Sequence, residues 1–260
     1  MKKSFLILLS LFAITQIAFS QKLVIENGDT LNRIDSNGMK QGRWVERKGI
    51  SFYKGRYVNN LREGVWTFYG MNNKPLALEE YVHGKKDGIT IVLDENGLLR
   101  NERHMKNNML NGLNAYYDKD GTLVFKRYYK ENKLHGDYII YYSDSLIKEK
   151  SYYNEGKKDS VSTFYNEKGI AIAILHYKNG VLDGSYKTVY DNGVVWTMQN
   201  YVNGKLEGTY KEFYDNARLK TIGTYKNDLR EGKWFEYDKS GKKIKMTIYK
   251  KGDIIKERTY

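Results

Sequence analysis

From Gly64 onward the chain repeats its small, apolar and polar positions every 24 residues without an insertion. The small position is Gly64, Gly88, Gly112, Gly136, Ser160, Gly184, Gly208 and Gly232. Five residues later stands a large side chain: Tyr69, Leu93, Tyr117, Tyr141, Tyr165, Val189, Phe213 or Tyr237. Seventeen residues later stands Tyr81, Met105, Tyr129, Tyr153, Tyr177, Tyr201, Tyr225 or Tyr249. Offset nine carries Gly97, Gly121, Gly169, Gly193 and Gly241, with Asn73, Ser145 and Ala217 as substitutes. Offset twenty carries only Gly, Asn or Asp, the types that tolerate a left-handed backbone. Each unit therefore predicts one β-hairpin, with two strands of about six residues between turns.

Short turns force successive strands to pair antiparallel with their sequence neighbours. The expected fold class is all-β: an elongated single-layer antiparallel β-meander of 24-residue β-hairpin repeats. At about 9.6 Å per hairpin, nine units span about 85 Å, and equal offsets stack as ladders. The tyrosines at offsets five and seventeen are expected to be structural, with Tyr177 resting on Tyr153 and Tyr201; losing it should cost about 3 kcal/mol. Ser160, the one small position that is not Gly, marks a weak unit.

Upstream of Gly64 the pattern weakens. Asn37-Gly38-Met39-Lys40-Gln41-Gly42 matches Asn203-Gly204-Lys205-Leu206-Glu207-Gly208, but Gly42 and Gly64 lie two residues too close for the period. The first residues read differently again. Met1-Lys2-Lys3, an apolar run from Phe5 to Phe19 and the small exit Ala18-Phe19-Ser20 have the order of a secretory signal peptide cleaved after Ser20. The expected division is a signal peptide at 1–20, an N-terminal cap with degenerate repeats at 21–63, seven repeats at 64–231, and a last repeat with a basic cap at 232–260.

Composition narrows the chemistry. The 260 residues include 24 Tyr, 24 Gly, one Pro and no Cys, which excludes disulfides, thiolate chemistry and Cys-ligated zinc. The net charge is +13, and +11 once Lys2 and Lys3 are removed. Export to periplasm or medium turns this basic excess away from nucleic acid and toward acidic proteins, anionic membrane or envelope polymer. Residues 232–260 alone carry nine cations against four carboxylates. Lys242, Lys243, Lys245, Lys250 and Lys251 are the candidate docking residues there. Offset fifteen varies most (Glu79, Arg103, Arg127, Ser151, Leu175, Gln199, Gly223, Thr247), so Arg103 and Arg127 are candidate partner-reading residues on the second strand.

The unit Tyr201-Val202-Asn203-Gly204-Lys205-Leu206-Glu207-Gly208-Thr209-Tyr210, followed by Phe213-Tyr214-Asp215, resembles the MORN repeat, "membrane occupation and recognition nexus". More narrowly it resembles the bacterial variant grouped with the YwqK-type antitoxin family. Gly64-Val65-Trp66 and Gly232-Lys233-Trp234 keep the Gly-x-Trp element. The resemblance covers nearly all of residues 37–260. It implies a twisted single-layer sheet that presents a grooved surface to proteins or membranes, and an immunity or antitoxin-like factor.

Catalytic convergence is not expected. His104 and His176 share an offset three repeats apart, roughly 29 Å, and His83 and His135 do not share it. Glu63, Asp87, Asp159, Asp183, Glu207 and Glu231 precede the small position, but rungs about 9.6 Å apart are too wide to chelate one calcium. They should bond the turns instead. The expectation is a non-enzymatic protein without cofactor or metal that binds a protein partner of unknown identity. The alternative is a peripheral anchor or spacer held by the basic C-terminal end on anionic membrane or cell-wall polymer.

Overall fold

The computed structural model describes residues 24–26 and 29–260; the expected signal peptide lies outside them. The described chain contains no helix. A short hairpin, Val24–Glu26 with Asp29–Leu31, pairs only with itself. From Arg33–Ile34 to Asp253–Thr259 the remaining 22 strands form one antiparallel meander. Arg33–Ile34 pairs only with Lys40–Lys48, and Asp253–Thr259 only with Lys243–Lys250. The two ends are not joined, so the sheet is open.

The strands are longer than about six residues. A typical unit has Lys85–Leu93 (9 residues) and Leu99–Lys106 (8 residues). The difference arises because the repeat glycine does not bound a strand but lies inside one. In the register, Arg127 pairs Tyr138 and Tyr129 pairs Leu134, so residues 135–137 oppose the single Tyr128. Gly136 makes this bulge at φ +110°, where a Cβ would come within 3.2 Å of the Tyr128 Cβ. Ser160 occupies the same offset at φ +66°, a left-handed conformation that costs a side-chain-bearing residue about 1 kcal/mol. There the strand is split into Lys157–Lys158 and Ser160–Tyr165, yet the Gly208 unit is split likewise into Lys205–Leu206 and Gly208–Phe213. The interruption is therefore not peculiar to serine.

Both turns follow the sequence. Offsets nineteen and twenty are both at positive φ, as in Asn107 (+50°) and Asn108 (+67°), which is the two-residue turn whose twist suits a hairpin. Even Ala217, at offset nine, adopts φ +64°. The acidic residues preceding the small position tie these turns down. Glu63, Asp87, Asp159, Asp183, Glu207 and Glu231 each accept the backbone N–H of the turn residue 20 positions on, at 2.7–3.3 Å. On the opposite margin, Tyr142, Tyr190 and Tyr214 donate their hydroxyls to the carbonyls of Tyr165, Phe213 and Tyr237 in the next repeat, at 2.8–2.9 Å. These cross-repeat clamps are signalled only by Tyr recurring at offset six.

Candidate functional site on the aromatic face

Side chains alternate across a strand, so the register assigns offsets two, four, thirteen, fifteen and seventeen to one face. The ring contacts agree: Tyr138 with Tyr153 (5.2 Å), Tyr186 with Tyr201 (5.9 Å), Tyr210 with Tyr225 (5.7 Å) and Trp234 with Tyr249 (6.1 Å). In these four units the offset-seventeen tyrosine rests on the aromatic at offset two of its own hairpin, and Tyr225 also meets Trp234 of the next hairpin at 5.0 Å. This corrects the direct ladder expected from Tyr153 to Tyr177 to Tyr201. Tyr177 instead lies beneath the Lys158 ammonium, 5.5 Å from its ring centre. Tyr81 is buried, whereas Tyr129, Tyr153, Tyr177, Tyr201, Tyr225 and Tyr249 are half-buried. On the other face, at offset five, Tyr69, Tyr117, Tyr141, Tyr165 and Tyr237 are also half-buried.

Full burial on the aromatic face is concentrated in the row of offsets two and fifteen, at Trp66, Thr90, Ser151, Ser162, Leu175, Trp234 and Thr247. The most variable column of the sequence is therefore inside. Gly223 makes room for the Trp234 indole, which a Cβ there would overlap, and Thr247 faces the same ring across the next pair of strands. At Gly223, at least, the residue at this offset is set by the size of its cross-strand neighbour, a packing reason not visible in the sequence.

Arg103 and Arg127 belong to this row. Both pair in register with Asn114, one from each side. The Arg127 guanidinium lies 3.8 Å from the Phe125 ring centre and 4.8 Å from that of Tyr138. The Nε of each arginine is buried without a hydrogen-bond partner. Asn101 Nδ2 donates to Asn114 Oδ1 at 3.0 Å, leaving the Asn114 amide as a donor beside them.

The basic end does not gather into one patch. Lys242 lies in one turn, where its N–H donates to Asp238 Oδ1 at 3.0 Å, and Lys250 and Lys251 lie at the opposite margin, at and just past the far end of the eight-residue strand Lys243–Lys250. Lys243 sits over Phe235 (4.6 Å), and Lys245 is paired with Glu257 (2.9 Å). The histidines are separate as well: His104 bonds Glu102, His176 bonds Ser185, and His135 lies 3.8 Å from Glu155. Among the described residues no three of His, Asp and Glu gather closely enough to hold a metal.

These features define a class, a single-layer array of hairpin repeats with one aromatic face. The family model of the MORN repeat variant matches three consecutive stretches, residues 182–203, 206–227 and 230–251. Each begins two residues before a repeat glycine, so the match has the same 24-residue frame. Such repeats are generally associated with protein and membrane binding. No curated protein matches the sequence. Among solved structures, a chain in the crystal structure of TcdB2-TccC3-Cdc42 aligns over 80% of this chain and 14% of that one, at 10% identity. Its TM-score of 0.21 carries no argument about fold or function.

Proposed function

We propose that this chain is a non-enzymatic, exported scaffold of the cell envelope that holds a protein partner along its aromatic face, in an immunity or antitoxin-like role. The observation carrying this reading is the half-exposed aromatic row at offset seventeen, which no second layer covers among the described residues. Ordinary domains bury such a face against another layer; here a partner can supply that layer. Export and the envelope location rest on the first twenty residues of the sequence.

The second reading is a peripheral anchor on anionic membrane or cell-wall polymer. It is favoured by the last strand, Asp253–Thr259, every residue of which is exposed, with cations on it. Crosslinking in intact cells, followed by a salt wash, separates the two. A partner held by buried aromatic contacts stays bound as the Debye length falls from about 10 to 3 Å. Release of all captured material by salt, with crosslinks confined to residues 232–260, would replace the scaffold by the anchor.

A further inference from the structure

Most cations on the aromatic face are neutralised by the chain itself. Lys40 and Arg62 share Glu46 at 3.0 and 2.8 Å, Lys86 pairs Glu79 at 2.5 Å, Lys158 pairs Glu149 at 2.8 Å, and Lys245 pairs Glu257 at 2.9 Å. Arg103, Arg127 and Arg230 have no carboxylate partner among the described residues. Arg230 is stacked on Trp234 at 4.2 Å and donates to the Tyr249 hydroxyl at 3.0 Å. Arg127 is stacked on Phe125 and Tyr138, but neither its Nε donor nor that of Arg103 has a hydrogen-bond partner. They stand two strands apart, about 9.6 Å between backbones, with the Asn114 amide between them. A buried donor without an acceptor is costly, and two guanidinium groups without a carboxylate on one face repel each other. An anion lying between them, held by their remaining N–H donors, removes the repulsion.

We propose that Arg103, Asn114 and Arg127 form a recognition site for a carboxylate borne by an acidic segment of a protein partner lying across the aromatic face. The inference rests on the scaffold reading and adds the chemistry of what is bound. Carboxylate is chosen because the same face already shows the solution within the chain: Glu46 takes the Arg62 Nη2 donor at 2.8 Å on one oxygen and the Tyr57 hydroxyl at 2.7 Å on the other. A planar guanidinium matches a carboxylate in two-pronged fashion. Tyr138, over which the Arg127 guanidinium lies, and the Asn114 amide offer further donors.

The test titrates the full chain with a capped hexaglutamate peptide by calorimetry at low salt. The parent is expected to bind, and Arg103→Gln with Arg127→Gln to weaken binding about tenfold or more. Lys242→Gln with Lys243→Gln removes the same charge and should change it less than about twofold. Equal weakening in both variants, or no binding by the parent, overturns the site. Should the glutamine pair fail to fold, Arg103→Lys with Arg127→Lys keeps the charge and loses the planar fork; unchanged binding there also overturns it. Inorganic phosphate that displaces the peptide at a lower concentration than acetate would assign the site to phosphoryl groups instead. Cellular capture that survives in the glutamine pair removes this site and leaves the scaffold, whereas peptide binding without any cellular partner removes the scaffold and leaves the site.

Discussion

Trp66, near one end of the sheet, and Trp234, seven repeats later, sit in the same local arrangement. Gly55 and Gly223 make room for the two indoles, which a Cβ at either glycine would overlap. Arg62 and Arg230 stack on them, both at 4.2 Å. Tyr57 and Tyr225 meet them edge-on, both at 5.0 Å, and the indole N–H donates to a strand carbonyl at 3.1 and 3.2 Å. What differs is charge. Arg62 reaches Glu46, while Tyr81 beside it donates to Glu79 at 2.7 Å; around Arg230 no carboxylate takes either place. Packing is thus copied with the repeat, and electrostatic completion is added unit by unit.

The comparison is tested hardest by removing the rings. Trp66→Ala and Trp234→Ala should each cost about 3–5 kcal/mol, because both indoles are almost wholly buried. Urea unfolding read together with hydrogen exchange near each tryptophan measures this, since repeats open locally. Costs that differ by more than about 2 kcal/mol would show that equal geometry does not mean equal packing.

A smaller effect separates the two ends by charge. Burial opposes ionisation of Glu46 and Glu79, yet hydrogen bonds from Tyr57, Lys40 and Arg62 to the first, and from Lys86 and Tyr81 to the second, hold both carboxyls below their ordinary value. A carboxyl lowered in the folded state stabilises it above the unfolded pKa, and that contribution is lost as pH falls through the folded one. Acidification from pH 6 to 3 should therefore reduce amide protection around Trp66 more than around Trp234. At the Trp234 end, burial and then Glu212 push Tyr210 up to about 12, so this phenol does not titrate in the acid range. Glu46→Gln should cost about 2 kcal/mol at pH 7 and flatten the difference. Parallel loss of protection at both ends, in parent and variant alike, would remove the assigned role of the two carboxylates.

How far the sequence reveals this depends on which physical constraint a position obeys. Turn positions are legible because positive φ admits few residue types, so offsets nine and twenty could be read one column at a time. The period and the open meander followed from them. The interior of the aromatic face was not legible in that way. Thr247 and Gly223 look unrelated until the register shows both beside Trp234, Thr247 by direct pairing and Gly223 through a bulge in which residues 232–234 oppose it alone. Arg103 and Arg127 were singled out as variable, but that they flank Asn114 emerges only from the paired strands. The lysines of the last repeat looked like one patch because they are near in sequence, whereas an eight-residue strand carries them to opposite margins.

The smallest effect asks whether the missing charge can be restored. Thr247 stands fifteen residues after Gly232, as Glu79 does after Gly64, and Ile254 stands where Lys86 supplies its ammonium. Thr247 is buried, and its hydroxyl has no partner. Thr247→Glu alone gives the Tyr249 hydroxyl an acceptor beside Arg230 but buries a carboxylate without an ammonium, and should destabilise the C-terminal end by about 1–2 kcal/mol. Ile254→Lys alone falls on an exposed position and should change stability by less than about 0.5 kcal/mol. Together they should recover about 0.5–1 kcal/mol relative to the sum, the coupling expected of a partly exposed pair. That coupling should vanish below the pH at which the new carboxylate is protonated. A cycle that closes with no coupling at pH 7 would mean that the two ends differ in backbone placement as well as in charge.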